Sequence, residues 1–260
     1  MSRIRIIPDE YKELASALSY HGFDICHPFH TSWYNAHLDR ENLSSIRRLP
    51  LGKALLVANT RRIWPSFLSW LRSQGTPIPM DPFDKYTSTV VTNLVQQHCR
   101  NKDVQIFWDH ERRSDLLVSM LRVAAASGLC YVHSFAQLAI HPHFGPWLSL
   151  RAVVLYELDD GKDLAWLNPP GSIKNPLTAE QDLQVREAAQ RAFAHHSHIF
   201  DASLTSHNTT SKDAALSAQP WIDVRRSIPI GREYCFTQDQ ILYHYTKDRS
   251  ILEASLESTE

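Results

Sequence analysis

The sequence predicts an α+β fold, a mainly antiparallel central sheet with flanking helices, and three observations predict it. Helical periods and short apolar strand runs are interspersed along the 260 residues. The two best strand runs, 130–140 and 148–158, are separated only by His141–Trp147, the spacing of an antiparallel hairpin. Neither GxGxxG nor GxxxxGK[ST] is present, and there are 8 glycines in all, which removes P-loop and ordinary dinucleotide-binding folds as first choices.

The elements follow in order. Tyr11, Leu14, Ala15 and Leu18 stand at i, i+3, i+4 and i+7, so Pro8–Ser19 reads as an amphipathic helix that Gly22 ends. Phe23–Trp33 is aromatic and contains Pro28, the signature of an extended segment or edge strand with a turn. Lys53–Asn59 is a short buried strand. Trp64–Leu71 is a helix with Trp64, Phe67, Leu68 and Leu71 on one face, followed by a loop from Gly75 to Pro79. Phe83–Cys99 has helical spacing at Val90, Val91, Leu94 and Val95. Val104–Trp108 is a strand. Ser114–Ala126 is a helix with Ser114 as N-cap. Ala179–His195 and Thr237–Tyr245 are further helices. The Ser/Thr/Asn/Ala-rich stretch 203–219 reads as a mobile insertion, and the acidic tail 253–260 as frayed. Without an internal repeat or low-complexity linker, residues 1–260 are expected to form a single domain.

Composition narrows the function. There are 27 Lys+Arg against 28 Asp+Glu, a net charge of −1, which excludes a polycation built to neutralise phosphates. The hydrophobic fraction of 43% excludes an acidic disordered chain and suffices for a packed core. No apolar run nears the roughly 18 residues of a membrane span. MSRIRIIPDE carries no apolar core after its arginines, so no signal peptide is expected. Cys26, Cys99, Cys130 and Cys235 form no CxxC, and reduced thiols in a cytoplasmic protein are the expectation.

Among candidate chemical groups, His195, His198 and Asp201 sit at one helix end but lack HxxxH or HExxH spacing; histidines at a helix C-terminus are also what the macrodipole favours, so no metal site is expected. Arg151 is different. It lies inside the apolar strand Leu148–Tyr156, where a guanidinium requires an anionic partner. That partner is either a ligand carboxylate or an internal acid, Glu157 or Asp109. Asp109 ends its strand, placed equally to bind a ligand or to cap the next turn. The clusters Phe29/Trp33/Tyr34 and Phe144/Trp147 either line a pocket for a large flat ligand or pack in the core.

The run His141-Pro-His-Phe-Gly-Pro-Trp147-Leu-Ser-Leu-Arg151-Ala-Val-Val-Leu155 resembles the characteristic stretch HP-x-F-G-x-W-x-x-x-R-x-V-V-L of the CblC family, the cytosolic cobalamin-processing chaperones also called cyanocobalamin reductases (cyanide-eliminating). Gly22-Phe23 with His27-Pro-Phe29 and Trp33-Tyr-Asn35, Asp81-Pro-Phe-Asp84, and Gln105-Ile-Phe-Trp-Asp109 with Arg112-Arg113 agree in order. The resemblance covers roughly residues 10–160 and returns faintly at Thr237–Tyr243.

This resemblance implies a modified nitroreductase-like α+β fold that binds cobalamin base-off. It implies reductive removal of cyanide with reduced FMN or FAD, and removal of alkyl groups by glutathione. By the same carry-over Asp109, Leu116, Leu117, Val118, Tyr131, Ala139 and Leu150 contact the cobalamin, with Trp147 beside them, and Arg151, Arg226 and Arg249 serve glutathione. A CblD-like adaptor and cobalamin-dependent methionine synthase are the implied partners, with neither nucleic acid nor membrane. The alternatives are a flavin-dependent reductase on the same scaffold and a non-catalytic cobalamin carrier.

Overall fold

The computed structural model describes residues 9–99, 103–111, 113, 116–158, 169–203 and 211–257. In chain order the elements are α1 (Asp9–Tyr20), β1 (Ile25–His30), α2 (Thr31–Arg40), β2 (Gly52–Asn59), α3 (Ile63–Gln74), α4 (Pro82–His98), β3 (Gln105–Trp108), α5 (Met120–Ala126), β4 (Tyr131–His133), β5 (Leu138–Ile140), β6 (Ser149–Leu158), α6 (Ala179–Ser203), α7 (Ser211–Ser227), α8 (Gln238–Thr246) and α9 (Arg249–Glu257). The chain divides into two compact units. One comprises Met1–Val132 with Leu148–Lys174, the other His133–Trp147 with Asn175–Glu260.

The first unit is built on a four-stranded antiparallel sheet of order β1-β2-β6-β3. Residues 54–59 of β2 and 151–156 of β6 are buried, as central strands covered on both faces must be. Helix α2 packs on β1 and β2, and α5 on β6. Pro28 is tolerated because β1 is an edge strand, where a missing ladder donor costs little. The β2–β6 register slips twice. Val57 pairs with Ala152 but Ala58 with Leu150, so Arg151 is the extra residue of a β-bulge.

In the second unit, α6 buries Val185, Ala188, Ala189 and Ala192 at i, i+3, i+4 and i+7. Its start is a capping box: Gln181 N–H donates to Thr178 Oγ1 at 3.2 Å and Thr178 N–H to Gln181 Oε1 at 2.9 Å. Trp147 joins Ala218, Ile222, Phe236 and Ile241 in a core cluster. The turn before it closes by paired backbone bonds between His141 and Gly145, at 2.8 and 2.9 Å. Gly145 has φ +58°, and a Cβ there would fall 1.9 Å from the Ile230 carbonyl oxygen; Gly231 (φ +71°) meets Phe144 in the same way. Two side-chain-free positions let these backbones touch.

Several expectations change. Residues 130–140 do not pair with 148–158: β4 pairs with β5, while β6 lies between β2 and β3. A ten-residue apolar strand finds fuller ladders with distant partners than with its chain neighbour. Trp33 is helical, because His30 caps α2 by accepting from Ser32 N–H. Helix α5 starts only at Met120 behind Ser119, leaving 116–119 non-helical; Ser114 lies outside the described residues. Residues 211–219, read as part of a mobile insertion, begin helix α7, whose Ala218 and Ile222 reach the core; 204–210 lie outside the described residues. The tail is helical through Glu257, with Leu252 buried. No helix among the described residues is long and apolar enough to cross a membrane.

Candidate functional site

The β3–β6 register opposes Trp108 to Ala152. One step further it opposes Asp109 to Arg151, and Asp109 N–H donates to the Arg151 carbonyl at 3.0 Å. The bulge then sends the Arg151 side chain to both neighbouring strands. Its Nε donates to Asn59 Oδ1 at 2.8 Å, and Nη1 reaches Asp109 Oδ2 at 3.3 Å. Phe83 lies under the guanidinium, 4.5 Å from Cζ to ring centroid. Asn59 is fully buried and turns its amide to the Thr60 carbonyl at 2.9 Å. The internal acid Asp109 is thus a partner of Arg151.

The other oxygen of Asp109 meets His110. Nδ1 of His110 lies 3.1 Å from Asp109 Oδ1. A carboxylate only accepts, so Nδ1 carries a proton, and in the neutral ring Nε2 holds the lone pair. The bond to Asp109 holds the imidazole above its ordinary pKa, helped by Asp84 and opposed by burial and by Arg151. The Trp108 ring stands 5.5 Å away, centroid to centroid. A chain of polar contacts thus runs Asn59–Arg151–Asp109–His110, from the sheet interior to a half-buried imidazole.

The structure brings Arg151 and Asp109 into contact. In the same unit Val118 is buried, Leu116, Tyr131 and Leu150 are half-buried, and Leu117 is exposed. Ala139, Trp147, Arg226 and Arg249 belong to the second unit. Trp147 is 2% exposed and packs in the core cluster. Phe29, Trp33 and Tyr34 are likewise core. Arg226 and Arg249 are exposed. The neighbour Arg225 is buried, gives Nε to Tyr245 Oη at 2.8 Å and Nη1 to the Pro146 carbonyl, and lies over Phe236 and Tyr245. Among the described residues no carboxylate pairs with it.

Sequence reasoning passed over Asn59, Phe83 and His110. A signal existed for two of them: Asn59 is the one polar ending of an apolar strand, and His110 directly follows the acid already singled out. Two of the four thiols, Cys26 and Cys130, are poor nucleophiles here. Burial, then Asp24, pushes Cys26 up to about 12, and burial pushes Cys130 far up as well. Among the described residues no three His, Cys, Asp or Glu side chains gather to hold a metal.

Comparison with known proteins adds a relationship. The family model described as methylmalonic aciduria and homocystinuria type C (MMACHC) matches residues 22–185. No curated protein matches the sequence significantly. Among solved structures, the C. elegans B12-trafficking protein CblC, a homologue of human MMACHC, superposes with a TM-score of 0.63 at 16% identity, over 96% of this chain and 97% of that one.

Proposed function

Because the chain belongs to the methylmalonic aciduria and homocystinuria type C family, we propose that it binds cobalamin base-off and removes its upper axial ligand for intracellular delivery. The two reactions are decyanation with a reduced flavin, FMN or FAD, and dealkylation by glutathione. Displacing the lower base makes the upper ligand easier to remove. The corrin carries the hard step, and the protein supplies orientation and charge. The fold is read as a modified nitroreductase scaffold, with both units serving one cobalamin-processing domain in the cytoplasm. A CblD-like adaptor and cobalamin-dependent methionine synthase would follow it.

The observation that carries the reading is the family match across 22–185. Asp109, Leu116, Leu117, Val118, Tyr131, Ala139 and Leu150 are assigned to the cobalamin. Arg151 is assigned to a glutathione carboxylate through Nη2, which no described residue bonds, while Nε and Nη1 stay on Asn59 and Asp109. Arg226 and Arg249, both exposed, are the further glutathione candidates.

Titration of cyanocobalamin or methylcobalamin with the protein tests the reading: the visible spectrum should shift to the base-off form. No shift at excess protein removes it. A second reading, a non-catalytic carrier, is favoured by one observation, that Asp109 already meets the charge of Arg151. Base-off binding with no turnover by glutathione or reduced flavin would decide for the carrier.

A further inference from the structure

We infer that His110 is the proton acceptor for the thiol that attacks the cobalt-bound carbon, held for that task by the chain Asp109–Arg151–Asn59. The inference rests on the cobalamin reading above and deepens it by naming the group that activates the co-substrate.

The geometry is that of a base oriented by a third group. Asp109 fixes one ring nitrogen at 3.1 Å. Arg151 fixes the other carboxylate oxygen from a buried position, and Asn59 fixes Arg151. A ring needs no such chain merely to cap a turn. The far nitrogen, Nε2, bonds no described residue, and the His110 side chain is 27% exposed. Trp108 supplies an apolar wall along the ring.

The chemistry requires such a group. A free thiol ionises near pH ~8.5, so only a small fraction is thiolate at neutral pH. In the step proposed, the S–H bond breaks and its proton goes to Nε2. The sulfur electron pair forms the S–C bond to the alkyl carbon. The Co–C bond breaks with both electrons staying on cobalt, giving the thioether and cob(I)alamin. The imidazolium then returns its proton to water. Among the described residues, the charged groups acting on His110 are Asp109 beside it, Asp84 from α4 and Arg151 from β6. The two acids stabilise the imidazolium, and proton transfer is most efficient when the base approaches the thiol in strength.

The test is single-turnover dealkylation of methylcobalamin by glutathione, without oxygen, from about pH 6 to 9, spanning the imidazole and thiol ionisations. His110→Gln should still turn cobalamin base-off but dealkylate about 100-fold more slowly near pH 7, with the gap closing as the thiol ionises unaided. A wild-type rate and pH profile in a His110→Gln protein that binds cobalamin would overturn the inference. So would a wild-type protein that turns cobalamin base-off yet gives no dealkylation with thiol. Should His110→Gln fail to bind, the wild-type protein is assayed with an aromatic thiol already ionised at pH 7. Its rate should lose the imidazole-dependent rise, and keeping that rise overturns the assignment. Absence of any base-off shift in the wild type is a distinct result, which removes the cobalamin reading itself.

Discussion

Each unit contains a His–Asp–Arg trio, and the two are built inside out relative to each other. In the first, Arg151 is 9% exposed at the side chain and His110 27%. In the second, His133 is 0% exposed and Arg186 48%. His133 Nδ1 accepts the Ala136 N–H at 3.1 Å, and Nε2 faces Asp182 Oδ1 at 3.3 Å. Asp182 is held in turn by Arg186 Nε at 2.6 Å and Asn175 Nδ2 at 2.7 Å. The same residue types therefore do opposite things. Burying the arginine pushes a reactive nitrogen outward. Burying the histidine seals both its nitrogens inside and leaves a structural link between the β4–β5 turn and α6. Histidine–acid contact alone does not mark a catalytic group; the direction of burial does.

The largest effect that would break this contrast is at Arg151. Arg151→Ala leaves Asn59 and Asp109 without their shared donor inside the sheet, and about 3 kcal/mol of stability should be lost, as for other broken buried pairs. Urea unfolding measures it. In the folded fraction, thiol-dependent dealkylation should fall further than corrin binding. Equal loss of both would deny Arg151 its place beside the co-substrate.

Next is His133→Ala, which strands the Ala136 N–H and opens a small void, for about 2 kcal/mol. Cobalamin dealkylation per folded molecule should not change. A large loss of turnover with modest loss of stability would erase the distinction between the two trios. Smaller still is Arg186→Ala. Its ion pair is nearly half exposed and joins residues one helical turn apart, so water and side-chain entropy leave less than about 0.5 kcal/mol. A loss comparable to Arg151→Ala would show that exposure does not rank these pairs.

How much of this was legible beforehand depends on sequence distance. Helices α1 and α4 were readable because Tyr11, Leu14 and Leu18, and Val90, Val91, Leu94 and Val95, write the helical period locally, and all seven are buried. The lone Arg in an apolar strand announced that a partner had to exist, and Asp109 was one of two acids named. Asn59 stood out as a polar end to an apolar strand, but its bond to Arg151 could not be foreseen, because the order β1-β2-β6-β3 joins segments 92 residues apart; Phe83, on α4, likewise reaches Arg151 only through tertiary packing. The same non-locality made 130–140 and 148–158 look like a hairpin. Helix α7 was hidden by Ser, Thr and Asn upstream, although Trp221, Ile222 and Val224 carry an apolar face. The cobalamin assignments came from motif resemblance, and only the Arg151–Asp109 portion acquires a geometry.

The smallest effect is a matter of sign, and it separates the trios most sharply. His110 is shifted up by its bond to Asp109. Its contribution to stability is therefore complete below the unfolded value near ~6.5 and fades as pH rises through the folded value. His133 is shifted down, mainly by burial, against the pull of Asp182. Its contribution is present above ~6.5 and is lost as pH falls through the folded value. Urea unfolding of wild type, His110→Gln and His133→Gln at about pH 5 and 8, either side of the imidazole range, reads both. The stability gap between wild type and His110→Gln should narrow at the higher pH, and that between wild type and His133→Gln at the lower. Two gaps moving in the same direction would mean that both imidazoles sit in one kind of environment, and the opposition of an open base to a sealed link would fall.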